Sequence, residues 1–329
     1  MDTADFAEGI PLNKREYLSE RIHSLSKRNT ETSLDDLELV SRQRAKISRN
    51  LLPDITETEI FLLRLYGTYG MTINYGLREH PIRLWDKSDN DIHSAIKQFR
   101  EKYNLTHIDL KKEFQLSEVR SLLVESELTA RNQGLLSHSI RAQIDNLIKR
   151  NTRNFYRGEN YFYRISRAKK QTYVPTSEST GVHKNEINPG DIISDNALWS
   201  SASRANTALN HYSKHGKATT NYLPIEEDEE EILFLIENNQ QLKAIDISGY
   251  KFPMDKKSEG ENAGEILIKS GSKFRVQAIQ KTERFMDRRI IVLEPVNRAS
   301  LSEDTLYKNA FDGSIQRRLW FHRALPYSQ

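Results

Sequence analysis

The sequence predicts an α+β fold from three observations. Helical patterning fills the first half, short strand-like runs fill the second, and the change near residue 151 is abrupt. Within residues 1–52, "LDDLELVSRQRAKISRNLL" spaces Leu, Val and Ile at helical intervals, and the polar stretch before it predicts poor order. Pro53 punctuates the chain, and Thr56 or Thr58 can cap the helix beyond it. "TETEIFLLRLYGTYGMTINYGLRE" reads as an apolar helix with a Gly-rich interruption. "DNDIHSAIKQFREKYN" and "LSEVRSLLVESELTARNQGLLSHSIRAQIDNLIKR" repeat apolar residues at spacings of three and four, the mark of amphipathic helices. The pattern then turns to strands. "NFYRGENYFYRIS" is aromatic and extended, and "EILFLIE", "LKAIDI", "GEILIK", "KFRVQAIQ" and "RRIIVLEP" are short Ile, Val, Leu and Phe runs separated by Gly, Asn, Asp and Lys. "ASRANTALNHYSKH" is a helical segment between strands, and "EEDEEE" a solvated turn before one.

Composition narrows the function classes. The 329 residues carry 49 Lys and Arg against 46 Asp and Glu, a net charge of +3, too small to argue for nucleic acid. The absence of cysteine removes a disulfide scaffold, a thiolate nucleophile and a zinc–thiolate site. No apolar run approaches the roughly 18 residues of a membrane span. The start, "MDTADFAEGIPLNKREYLSE", lacks the basic-then-apolar order of a secretory signal peptide. His211 and His215 have i, i+4 spacing, but no third ligand accompanies them and no metal is expected.

Three short motifs carry chemistry. In "FYRG", Arg157 is a planar guanidinium able to bind phosphate with two parallel bonds, and Gly158 lets a ligand approach the backbone. In "WSSAS", residues 199–203, alternation places Trp199, Ser201 and Ser203 on one face of an extended segment, where hydroxyls can orient an acid or meet a ribose. In "EGENAGEILIKSGSKFRV", Glu265 stands at the mouth of a strand behind a loop of small residues. Singly these read as an edge-strand Arg, a Ser-rich strand end and a turn carboxylate.

Taken in order, the three motifs resemble the Arg–Ser–Glu class of mono-ADP-ribosyltransferase toxins. "YGTYGMTINYGLR" (66–78), "GDIISDNALWSSAS" and "ISGYKF" followed by "GEILIKSGSKFRV" extend the resemblance over about residues 58 to 296. The resemblance implies two packed, mainly antiparallel sheets with an N-terminal helical part and NAD, as substrate, in the cleft between them. The expected organisation is a polar, partly disordered region over 1–52 with a candidate secretion signal, a transferase domain over 53–298 (helical 53–150, sheet core 151–298), and a tail over 299–329. By the same resemblance, Arg157 holds the NAD phosphates and the nicotinamide ribose, and Gly158 bonds the carboxamide. Ser201 positions Glu265 and touches the ribose, Ser203 matches the last serine of the hydroxyl motif, and Glu265 is the catalytic acid. An alternative register takes Ser200 as the motif serine. Tyr212 falls where an aromatic covers the nicotinamide and His215 where a base meets phosphate. Tyr66, Tyr69 and Asn74 fall where the adenosine end is held, with helix packing as the other reading for the two tyrosines.

The sequence departs from the family two residues before Glu265. Arginine-modifying members carry a second Glu there, and here the residue is Ala263, with Glu261 and Glu259 further upstream. The expected acceptor is therefore not arginine, and a Thr or Ser hydroxyl is an option. The resemblance implies a bacterial effector, secreted and acting as a monomer in the host cytoplasm on a protein such as actin, a small GTPase or ubiquitin, with no nucleic acid or membrane span involved. An NAD glycohydrolase on the same fold and a catalytically inactive protein-binding module are the alternatives.

Overall fold

The computed structural model describes residues 4–26, 51–56, 58–63, 66, 73–74, 130–152, 159–176, 178–179, 185–205, 207–208, 228–250, 264–280, 289–302 and 304–316. Among the described residues, the helices α1 (Leu12–Ser26) and α2 (Ala130–Asn151) accompany eleven strands. The strands are β1 (Ala4–Phe6), β2 (Tyr161–Lys169), β3 (Ile192–Ser194), β4 (Trp199–Ala202), β5 (Glu229–Glu237), β6 (Ala244–Asp246), β7 (Glu265–Ile268), β8 (Lys273–Gln280), β9 (Arg289–Val296), β10 (Tyr307–Asn309) and β11 (Ile315–Gln316).

The strands form one connected ladder in the order β11-β10-β3-β8-β9-β5-β2-β4-β7-β6, with β1 added beside β8. Among the described strands, only β3–β10 and β5–β9 pair in parallel. Two packed, mainly antiparallel sheets were expected, and the described strands connect into one mixed ladder. Its weakest joint lies between β2 and β4. β2 pairs with β5 along its whole length, from Tyr161–Glu237 to Lys169–Glu229, yet it meets β4 at the single pair Tyr163–Ala202. β4 is four residues long, and β7 holds all four. The backbone edges of β2 and β4 are thus largely left to side chains, and the candidate site forms at this joint.

α2 lies in a segment whose spacing predicts a helix. Ile140, Ile144, Leu147 and Ile148 form one stripe of α2, packed with Phe61, Leu62 and Leu63 against Leu198 and Leu267 of the sheet. The helical residues 58–63 begin at a capping box. Thr56 Oγ1 accepts from the Glu59 amide at 3.2 Å, and Glu59 Oε2 accepts from the Thr56 amide at 2.9 Å. Arg150 near the end of α2 closes on Glu59 at 2.6 Å.

The N-terminal segment differs from the reading of composition. Residues 4–26, expected to be poorly ordered, are a strand and a helix seated on the sheet. β1 lies antiparallel to β8, with Ala4 opposite Gln280. α1 is polar overall, but Leu18, Ile22 and Leu25 recur at four and three and bury against Tyr161, Tyr163, Leu233 and Leu235. A narrow apolar stripe suffices when a sheet face is waiting for it. Within the expected tail, β10 and β11 extend the sheet beyond β3. No helix among the described residues is long and apolar enough to cross a membrane.

Candidate active site

The β4–β7 register decides which serine meets the acid. Trp199 pairs with Ile268, Ser200 with Leu267, Ser201 with Ile266 and Ala202 with Glu265. Paired residues share a face and successive residues alternate. Glu265 therefore lies on the face of Ser200 and Ala202, and Ser201 points the other way with Trp199. Ser200 Oγ donates to Glu265 Oε1 at 2.6 Å. Ser201 Oγ donates to the Ile266 carbonyl at 3.1 Å, and the residue is 5% exposed. The expectation that Ser201 positions Glu265 is corrected by strand parity, and the alternative register with Ser200 matches the geometry.

A carboxylate that accepts a hydroxyl hydrogen bond is fixed in rotation, and such a bond to a charged acceptor is worth about 1.5–3 kcal/mol. Ser200→Ala is expected to lower turnover of the site by roughly 10- to 100-fold with little change in the unfolding midpoint. Ser201→Ala is expected to act through stability, by roughly 1 kcal/mol, leaving turnover within a few-fold. Steady-state kinetics beside thermal unfolding check the pair.

Arg157 and Gly158 lie outside the described residues. A second arginine stands at the joint. Arg164, in the middle of β2, donates from Nη1 to the Ser200 carbonyl at 2.8 Å, and its Cζ lies 5.2 Å from the centre of the Trp199 ring. Trp199 is itself locked among Phe234 and Phe274, with ring centres 5.1 and 4.9 Å away. Ser200 is therefore bonded twice, through its carbonyl to a guanidinium and through its hydroxyl to a carboxylate. The sequence signal for Arg164 is the Tyr163-Arg164 pair, the same aromatic–Arg step as Tyr156-Arg157, followed by Ile in place of Gly.

The small residue before Glu265 has a geometric cause. Gly264 has φ +74°, and a Cβ there would fall 2.0 Å from Ser203 Oγ. The Ser203 amide donates to the Gly264 carbonyl at 2.9 Å, so the end of β4 and the start of β7 close on one another. Only Gly meets both demands. Ser203, expected among the substrate-binding residues, is 3% exposed, and its hydroxyl has no partner among the described residues.

Asn74 and Tyr66, placed by resemblance at the adenosine end, are 6% and 3% exposed. Asn74 Nδ2 donates to the Leu198 carbonyl at 3.1 Å and to the Tyr66 hydroxyl at 3.0 Å, and that hydroxyl donates to the same carbonyl at 3.2 Å. These bonds hold Leu198, the residue that leads into β4, the strand that carries Ser200. Tyr69, Tyr212, His215, His211, Ala263, Glu261 and Glu259 lie outside the described residues. Among those described, no group of three or more His, Asp or Glu could hold a metal ion.

With the fold and site in place, the chain can be set beside known structures. The Vis toxin, an ADP-ribosyltransferase from Vibrio splendidus, superposes with a TM-score of 0.53 at 15% identity, covering 89% of this chain and 99% of that one. Vis in complex with agmatine gives 0.52 at 14% identity over 89% and 99%, and Vis in complex with the M6 inhibitor gives 0.51 at 14% over 90% and 99%. No family model matches the chain, and no curated protein matches it. The class defined is therefore structural: the chain has the fold of the ADP-ribosyltransferase toxins. Nearly the whole of Vis is represented, and the resemblance read from the three sequence motifs and the likeness in three dimensions agree.

Proposed function

We propose that this protein is a mono-ADP-ribosyltransferase that cleaves NAD at the nicotinamide–ribose bond and passes ADP-ribose to a side chain of a host protein, as a secreted bacterial effector. The observation that carries the reading is the double bonding of Ser200, to Glu265 at 2.6 Å and to Arg164 at 2.8 Å. An arginine, a serine and a glutamate, the three residue types of the motif order, meet on one residue.

The chemistry comes from the groups themselves. The bond between ribose C1′ and the nicotinamide nitrogen breaks with its electron pair going to nicotinamide, which leaves neutral. Positive charge develops on the ribose, as in glycoside hydrolysis. Glu265, held in one rotamer by Ser200, lies against the ribose 2′-hydroxyl and stabilises that charge. The acceptor oxygen or nitrogen then bonds C1′ and loses its proton. Arg164, stacked on a buried ring, fixes the Ser200 carbonyl and so the strand that presents Ser200 to Glu265, and is the arginine of the trio in place of Arg157. This division of labour needs no covalent nucleophile and rests on orientation.

Ala263, two residues before the acid, offers no carboxylate to prepare an acceptor guanidinium. We therefore assign the acceptor to a side chain other than arginine, with Thr or Ser hydroxyls as the class to examine first. Vis has been crystallised with agmatine, and a small guanidinium compound is the direct comparison: this protein is expected to transfer to it poorly.

Incubating the full chain with labelled NAD and a eukaryotic lysate tests the reading. Label in a protein band that is lost with Glu265→Ala supports it. Nicotinamide release with no labelled band makes the protein an NAD glycohydrolase. Neither product, with a protein partner retained, makes it a binding module. Resistance of the label to hydroxylamine supports an ether-type linkage to a hydroxyl, and lability rules that linkage out.

A further inference from the structure

The sheet face that carries Glu265 continues sideways beneath α1. Tyr163, Ala202 and Glu265 are successive Cα partners on three adjacent strands, so their side chains share one face. The Cα atoms of Tyr163 and Glu265 are two strand spacings apart, roughly 10 Å. α1 is fastened over this end of the face. Lys14 Nζ meets Glu237 at 3.0 Å, the Tyr17 ring stacks 6.3 Å from that of Tyr161, and Leu18 and Ile22 are fully buried against the β2–β5 surface.

Arg21 reaches from α1 onto Tyr163. Its Nη2 donates to the Tyr163 hydroxyl oxygen, and its Cζ lies 5.7 Å from the centre of that ring. Its Nε is buried and has no partner among the described residues, and none of their carboxylates pairs with its guanidinium. The side chain is half-buried. A guanidinium in this position has given up part of its hydration for a neutral phenol and a ring face, neither of which balances its charge. The arrangement serves stability poorly and anion binding well. Two parallel charge-assisted bonds to a phosphate would satisfy what Tyr163 leaves open.

We propose that Arg21 binds the diphosphate of NAD, so that α1 forms one wall of the dinucleotide site and Tyr163 is the residue that positions Arg21. This rests on the reading of the chain as an NAD-cleaving enzyme and adds a residue outside all three motifs. The charge at Arg21 acts mainly on binding, because the diphosphate does not change its charge as the glycosidic bond breaks. Loss of the guanidinium therefore raises KM more than it lowers kcat.

The test uses the full chain with NAD, and inorganic pyrophosphate as a probe of the anion site alone. Arg21→Gln is expected to raise KM for NAD by about 10- to 100-fold, with a much smaller change in kcat, and to abolish competitive inhibition by pyrophosphate. Arg21→Lys is expected to recover part of the affinity. Thermal unfolding with and without NAD gives a second readout: the upward shift produced by NAD shrinks in Arg21→Gln. Should that variant fail to fold, Tyr163→Phe keeps the ring, removes the hydroxyl that holds Arg21, and is expected to raise KM in the same sense by a smaller factor. An unchanged KM in these variants overturns the proposal and leaves Arg21 as a pin for α1. Wild-type protein that binds NAD and releases nicotinamide while ignoring pyrophosphate overturns the diphosphate assignment alone. Wild-type protein that neither binds nor cleaves NAD overturns both this proposal and the reading beneath it.

Discussion

Replacing Glu265 with Gln is expected to lower kcat for nicotinamide release by at least 100- to 1,000-fold while leaving the unfolding midpoint within a few degrees. The amide keeps the size of the side chain and can still accept from Ser200, whose hydroxyl lies 2.6 Å from the present carboxylate oxygen. What it removes is negative charge where a ribosyl cation forms, and a single preorganised group facing a developing charge is commonly worth about 2.7–4 kcal/mol. Because the charge appears in the transition state and not in bound NAD, the loss falls on kcat, with KM nearly constant. Glu265 opens β7, and its backbone is held by Ala202 on one side and by the Ile247 amide at 3.0 Å on the other. The substitution therefore leaves the sheet in place. A loss carried mainly by a falling unfolding midpoint would instead mark Glu265 as structural.

The second large effect is expected at Arg164. Lys in its place keeps one positive charge but not the planar fork that reaches the Ser200 carbonyl at 2.8 Å while stacking on Trp199. Arg164→Lys is expected to reduce kcat/KM for NAD by about 100-fold, about 2.7 kcal/mol, and Arg157→Lys by less than 10-fold. The contrast is informative because the two arginines stand in similar local sequence. Equal losses at both positions would place two guanidinium groups in the site. A large loss at Arg157 with none at Arg164 would return the role to the motif that carries the glycine.

Much of the fold can be read in the sequence because its signals are local. The stripe Ile140, Ile144, Leu147 and Ile148 carries its helix by spacing alone. "EILFLIE", "GEILIK", "KFRVQAIQ" and "RRIIVLEP" lie over β5, β7, β8 and β9. Glu265 is legible too, as an acid at the junction between a loop and an apolar run. The choice between Ser200 and Ser201 is not. It turns on which residue of β4 lies opposite Glu265, a cross-strand register that no local pattern contains. Trp199 in the aromatic slot suggests the wrong parity, since its face is the one turned away from Glu265. Arg157 lies outside the described residues, and the contact of Arg164 with Ser200 is likewise not legible in the sequence. Gly158 makes "FYRG" the more conspicuous motif, and only the pairing of β2 with β4 brings Arg164 to Ser200. α1 is hidden by its composition, because three buried apolar residues in fifteen are too few to stand out from a polar segment.

Arg164, Ser200 and Glu265 are proposed to work as one NAD-cleaving unit, and a double-mutant cycle on nicotinamide release with Ser200→Ala and Glu265→Gln probes that unit at its core. If Ser200 acts by holding the Glu265 carboxylate, its removal costs about 10- to 100-fold in the wild-type background and almost nothing once the carboxylate is gone. The double variant and Glu265→Gln are then expected to have the same kcat within about threefold. Losses that multiply, or a Glu265→Gln variant that releases nicotinamide at the wild-type rate, would show that Ser200 and Glu265 do not act together and would contradict the unit at its core.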